Sequence, residues 1–280
     1  MPRALTAVVL VLLATTARGD APPAPRPRYG WLAEGTATTA LAARIAPPPG
    51  FHRVVVGEGS FGAWLRDLPL RAPGTPVRSF RGELLHEASD PRIAAVAELD
   101  VGSRDLQQCA DSIMRLDAEW RYAAGHDDAI SYAIGHGHAL AWARWAAGER
   151  PTVGDRDRVT WARRGKPDGS HAALRAYLDV VFTWAGTASL DETTRRVPRN
   201  ELRPGDFVVT GGHPGHAVLI LDVAEDGAGH RRALLGQGFM PAQDFQVLAH
   251  DGDPWFSLDD DALATPFWPA FAWSALRRLP

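Results

Sequence analysis

The last third of the chain carries three apolar, β-type runs, 206–210, 216–222 and 231–236, separated by short Gly- and Pro-rich turns. This pattern constrains the fold most. Turns that short join strands antiparallel, because a parallel connection needs a crossover of a dozen or more residues. A further run over 245–248 extends the series. Earlier the period changes. Leu106, Cys109, Ile113, Leu116 and Trp120 recur at helical spacing behind Asp105, an N-cap residue with Gln108 three positions on. Asp111–Arg115 and Arg115–Glu119 are spaced to pair on the exposed side of that helix. Ser170 to Trp184 predicts a second buried-faced helix ended by Gly186, and Ser60 to Leu68 a short capped one. Strands are expected over 51–56 and 92–101. Helices followed by antiparallel strands predict an α+β fold rather than a doubly wound sheet, with one globular domain over 50–280.

The N-terminus reads as a signal peptide over 1–19: Arg3, an apolar run from Ala4 to Ala14, and small residues that place cleavage after Ala17 or Gly19. The run is about half the ~20 apolar residues a membrane span needs, and no Cys stands near the cleavage point for a lipid anchor. The expectation is an exported bacterial protein, periplasmic or extracellular, with no stable membrane insertion after cleavage. Residues 20–49 form a proline-rich lead, with 29–46 packed outside the domain. A single Cys permits no internal disulfide, so a core must stabilise the fold. A net charge of −3 excludes a strongly basic nucleic-acid binder. Trp255, Phe267, Trp268, Phe271 and Trp273 are expected to wrap the domain as buried aromatics.

The residues able to carry chemistry are few. Cys109 stands at a helix start, where partial positive charge favours a thiolate reactive below the ~8.5 of a free Cys; its place on the apolar stripe reads equally as core. A thiol nucleophile needs a base and a group that orients the base. His216, opening a strand after a Gly-rich loop, is the candidate base, and Gln237, leaving the next strand, the orienting amide. Gln107 or Gln108 is placed to donate to an oxyanion, while His213 and Gln243 are expected to line the substrate cleft. No metal site is predicted, since His216 and Asp222 lie roughly 20 Å apart along one strand. His136 and His138 read as turn or solvated residues, Asp259–Asp261 as a solvated acid run, and no cofactor is called for.

The Arg203-Pro204-Gly205-Asp206 turn, the Gly215-His216-Ala217 strand start, and the order Cys109, His216, Gln237 resemble the NlpC/P60 cysteine peptidases of the papain-like class. That resemblance implies a helix-borne Cys on an antiparallel sheet, and a thiol hydrolase acting on peptide or cell-wall amide bonds. Over almost the whole domain the chain is similar to the bacterial family called domain of unknown function 4846. The segments carrying this are 105–111 with Arg115-Leu116, 186–190, 211–217 and 237–243. This second resemblance implies export and no particular reaction. A non-catalytic peptide- or glycan-binding domain on the same scaffold is the alternative. A thiol meeting His216 at the mouth of a cleft separates the two.

Overall fold

The computed structural model describes residues 25–135 and 138–280; the leader read at 1–19, and His136, lie outside them. An antiparallel sheet of nine strands organises the described residues. In chain order these are β1 (His52–Arg53), β2 (Ile93–Val96), β3 (Arg195–Arg196), β4 (Phe207–Thr210), β5 (His216–Glu225), β6 (Arg231–Gln237), β7 (Gln246–Leu248), β8 (Trp255–Ser257) and β9 (Leu276–Arg278). The spatial order is β3-β9-β4-β5-β6-β7-β2, with β8 on β6 and β1 on the far end of β5. The three runs read from the C-terminal third are therefore adjacent and antiparallel. The fold is mixed α and β, as the order of periodicities requires.

Strand alternation sorts the sheet's side chains into two cores. Ala217, Leu219 and Leu221 of β5 join Ala110, Ile113 and Met114 of the helix α3 (Cys109–Ala123) on one face. Val218 and Ile220 pack on the other face with Leu263 and Phe271 from a hairpin spanning 262–272. The helices are α1 (Leu41–Arg44), α2 (Phe61–Arg66), α3, α4 (Trp142–Ala146), α5 (His171–Trp184) and α6 (Thr187–Thr193). Ser60 and Ser170 cap α2 and α5 by accepting from the N–H groups of Ala63 and Ala173. Asp222, buried in β5, accepts from Arg53 at 2.6 Å and Arg66 at 2.8 Å, tying the N-terminal segments to the sheet. Of the C-terminal aromatics, Trp255 and Phe271 are buried, while Phe267, Trp268 and Trp273 are half-buried against the second core.

Four expectations need correction. The long helix begins at Cys109 rather than after Asp105, because the Gln108 N–H donates to the Asp111 carboxylate at 3.1 Å and closes the first turn there. Asp105 instead accepts from Gln108 Nε2 at 3.0 Å and from the Ala242 N–H at 2.7 Å, pinning the approach to the helix against the loop after β6. Arg115 is not on an exposed face: fully buried, it donates to Glu119 (2.7 Å), Gln107 (3.0 Å) and Asp100 (2.8 Å), and Asp111 takes no part. The strands expected over 51–56 and 92–101 shorten to β1 and β2, where pairing with β5 and β7 ends. Finally, Leu41 and Ile45 belong to the main core, and Tyr29 and Trp31 pack on Trp64, so the folded unit starts well before residue 50.

Candidate functional site

Cys109 is the first residue of α3, and the backbone N–H groups of Ala217, Ala110 and Cys109 itself act on its thiol to favour the ionised form. Such donors favour a thiolate, but the side chain is only 4% exposed. Burial pushes the thiol up to about 11, and the neighbouring Asp111 carboxyl adds to the effect. This reverses the expectation of a low-pKa thiol at a helix start. Desolvation outweighs the helix terminus here.

His216 opens β5 and is completely buried. Its Nε2 lies 2.8 Å from Gln237 Oε1, joining the first residue of one strand to the last of its neighbour. An amide oxygen only accepts, so Nε2 carries the proton and Nδ1 holds the free lone pair. Nδ1 has no hydrogen-bond partner among the described residues. Burial pulls the imidazole down to about 4, against the smaller lift from the Gln237 bond, so the ring is neutral at pH 7. Phe239, Trp268 and Phe271 surround it, with ring centroids 4.9, 5.1 and 6.2 Å away.

The structure thus brings His216 and Gln237 together, as the strand order predicts. Cys109 arrives differently. Its thiol is influenced by the N–H of Ala217, the residue following His216, and makes no hydrogen bond to the imidazole. Helix α3 and the aromatic cage of His216 belong to the two opposite faces of β5, and the Ala217 peptide links them at the rim of the sheet.

A cleft of about 560 Å³ opens at this rim, lined by Gln108, Cys109 and Asp111 from the start of α3, by Thr187 and Ser189 from α6, and by the 212–215 loop. Gly215 is indispensable to that wall. A Cβ on it would stand 2.2 Å from Thr187 Oγ1, which donates to the Gly212 carbonyl at 3.2 Å. Gly238 lets the chain leaving β6 touch the helix start, since a Cβ there would come within 2.4 Å of Ser112 Oγ.

Gln108 and His213 border the cleft, but the Gln108 amide already donates to Asp105 at 3.0 Å and so does not stand free for an oxyanion. Gln107 and Gln243 do not border it, and both are corrected. Gln107 is buried, donating to the Asp100 carbonyl at 3.1 Å and accepting from Arg115, so its amide is already engaged. Gln243 is buried beside the Ser79 bridge, away from the lining. The residue the sequence reading missed is Asp111, assigned above to a surface ion pair. It is 7% exposed, one carboxylate oxygen has no hydrogen-bond partner among the described residues, and burial pushes its carboxyl up to about 8. Its position two residues after a helix-opening Cys is the signal that could have found it.

The model of the family described as domain of unknown function (4846) matches residues 41–278, from α1 through β9. The chain belongs to that family. The match takes in Cys109, His216, Gln237 and the whole cleft lining. No curated protein and no solved structure matches the chain. Among the described residues no group of three or more His, Cys, Asp or Glu side chains is placed to hold a metal ion, and no helix is long and apolar enough to cross a membrane.

Proposed function

We propose that this protein is an exported thiol hydrolase with an NlpC/P60-like division of labour, cutting amide bonds in peptide or cell-wall material. The observation that carries the reading is the Gln237–His216 bond, which fixes the proton on Nε2 and leaves Nδ1 free as a base. The Cys109 sulfur sits at the very next peptide. With the thiol raised and the imidazole lowered, the resting pair is neutral rather than a thiolate–imidazolium pair. Catalysis on this reading starts when substrate fills the cleft. Sγ, which rests on the other face of β5, must then turn round the rim of the sheet to reach Nδ1. It attacks the amide carbonyl as its proton passes to Nδ1, and backbone N–H groups at the helix start stabilise the charge that develops on the carbonyl oxygen. The imidazolium then protonates the departing amine, and water releases the acyl group from the thioester.

The test is release of free amine from a pool of peptides and soluble cell-wall fragments. The wild-type protein is expected to release it, and Cys109→Ser and His216→Ala to lose about a hundredfold or more. The deep burial of the thiol and the missing sulfur–imidazole bond favour a second reading, a peptide- or glycan-binding domain on the same scaffold. That reading stands instead if wild-type protein binds the fragments and releases nothing.

A further inference from the structure

Asp111 makes no use of one of its two oxygens. Oδ2 accepts from the Gln108 N–H at 3.1 Å, whereas Oδ1, equally buried, faces no donor among the described residues although the side chain lines the cleft. A buried carboxylate oxygen without a donor is unfavourable by roughly 1–3 kcal/mol or more in a native fold, so one that belongs to a cleft-lining side chain calls for a partner from the cleft. The surroundings decide which kind of ligand. Asp105 also borders the cleft, and of the chain's 30 lysines and arginines none does so among the described residues. An anion finds little here, because the first N–H groups of α3 act on the Cys109 thiol.

We infer that the cleft takes a cationic amine, an alkylammonium seated on Asp111 Oδ1, so that the peptide cut at Cys109 presents a free amino group within the cleft. An ammonium supplies both things the carboxylate lacks, a donor for Oδ1 and an opposite charge in a water-poor setting. The carboxyl's displacement to about 8 accords with a site in which a proton occupies the place of that cation until the ligand arrives. The inference rests on the hydrolase reading only in calling the occupant a substrate.

The experiment uses the full chain carrying Cys109→Ala, so that binding is read without turnover, and three small probes. L-alaninamide carries an α-ammonium, Nα-acetyl-lysine amide carries a side-chain ammonium, and N-acetyl-alaninamide carries neither. Calorimetric titration should give binding by at least one cationic probe, roughly tenfold or more tighter than by the neutral one. Which cationic probe wins identifies the source of the amine. Asp111→Asn should remove that preference and leave the neutral probe unchanged. Should the asparagine variant fail to fold, the ¹³C resonance of the Asp111 carboxyl in the parent protein should move to its ionised position on adding the preferred cation at pH 6.5. Equal binding of all three probes, no binding by either cation, or an unmoved carboxyl resonance overturns the inference. Cation binding by a protein that never releases amine from peptides would sink the hydrolase reading and leave this one intact.

Discussion

Asp111→Asn should change how stability depends on pH in a calculable way. The fold holds this carboxyl up to about 8, against an ordinary value of 3.8. The sign follows from proton counting. Between those two values the native state binds the proton that the unfolded chain has released, so the stability advantage is complete below about 4 and is lost as pH rises through 8. Each pH unit crossed in that window removes about 1.4 kcal/mol. From pH 5 to pH 8 the wild-type protein should therefore lose about 3–4 kcal/mol through this one residue. Asparagine keeps the acceptor for the Gln108 N–H and has nothing to titrate. His216, lowered to about 4, titrates in both proteins and cancels in the difference. Urea denaturation at pH 5, 6, 7 and 8 measures the gap directly. A growing advantage of the asparagine variant, approaching 3 kcal/mol by pH 8, is expected. Curves that stay parallel within about 0.5 kcal/mol would refute the argument that Asp111 is buried without a partner.

Iodoacetamide should alkylate Cys109 slowly at pH 7, with about a hundredfold less thiolate than an unperturbed cysteine, because the thiol stands near 11 rather than 9; a pH–rate profile with a midpoint below 9 would contradict this. Gly238→Ala drives a methyl into Ser112 Oγ and the Gln108 carbonyl at 2.4 and 2.8 Å. It should lower stability by about 1–3 kcal/mol in denaturant titrations and impair any activity at the helix start. Arg115→Ala strips a buried charge from Glu119, which also contacts His171 at 2.8 Å, and should cost about 3–5 kcal/mol by the same measurement.

What the sequence disclosed follows the range of the forces involved. The antiparallel series β4–β5–β6–β7 and the capped helix α5 are local patterns, and both were legible from turn spacing and periodicity. So was the meeting of His216 with Gln237, because strand starts and strand ends in adjacent antiparallel strands face each other at one rim. Arg115 was misplaced because spacing predicts which charges can pair but not whether the pair is buried; the partners that bury it, Gln107 and Asp100, precede the helix. Cys109 carries the same lesson. Its position predicts a lowered thiol pKa, while the packing of α3 on β5, invisible to a one-dimensional pattern, raises it. Asp111 was hidden by a plausible surface partner at helical spacing that the fold assigns elsewhere.

The central claim is that Cys109 is a nucleophile served by the His216 base. Rapid acid quenching of the wild-type protein with a mixture of short peptide thioesters, followed by intact-mass and peptide mapping, tests it most directly. An acyl adduct on Cys109 that builds up in the wild type, and forms at least a hundredfold more slowly in His216→Ala, is the predicted result. No adduct, or one that forms equally fast without the imidazole, would contradict it.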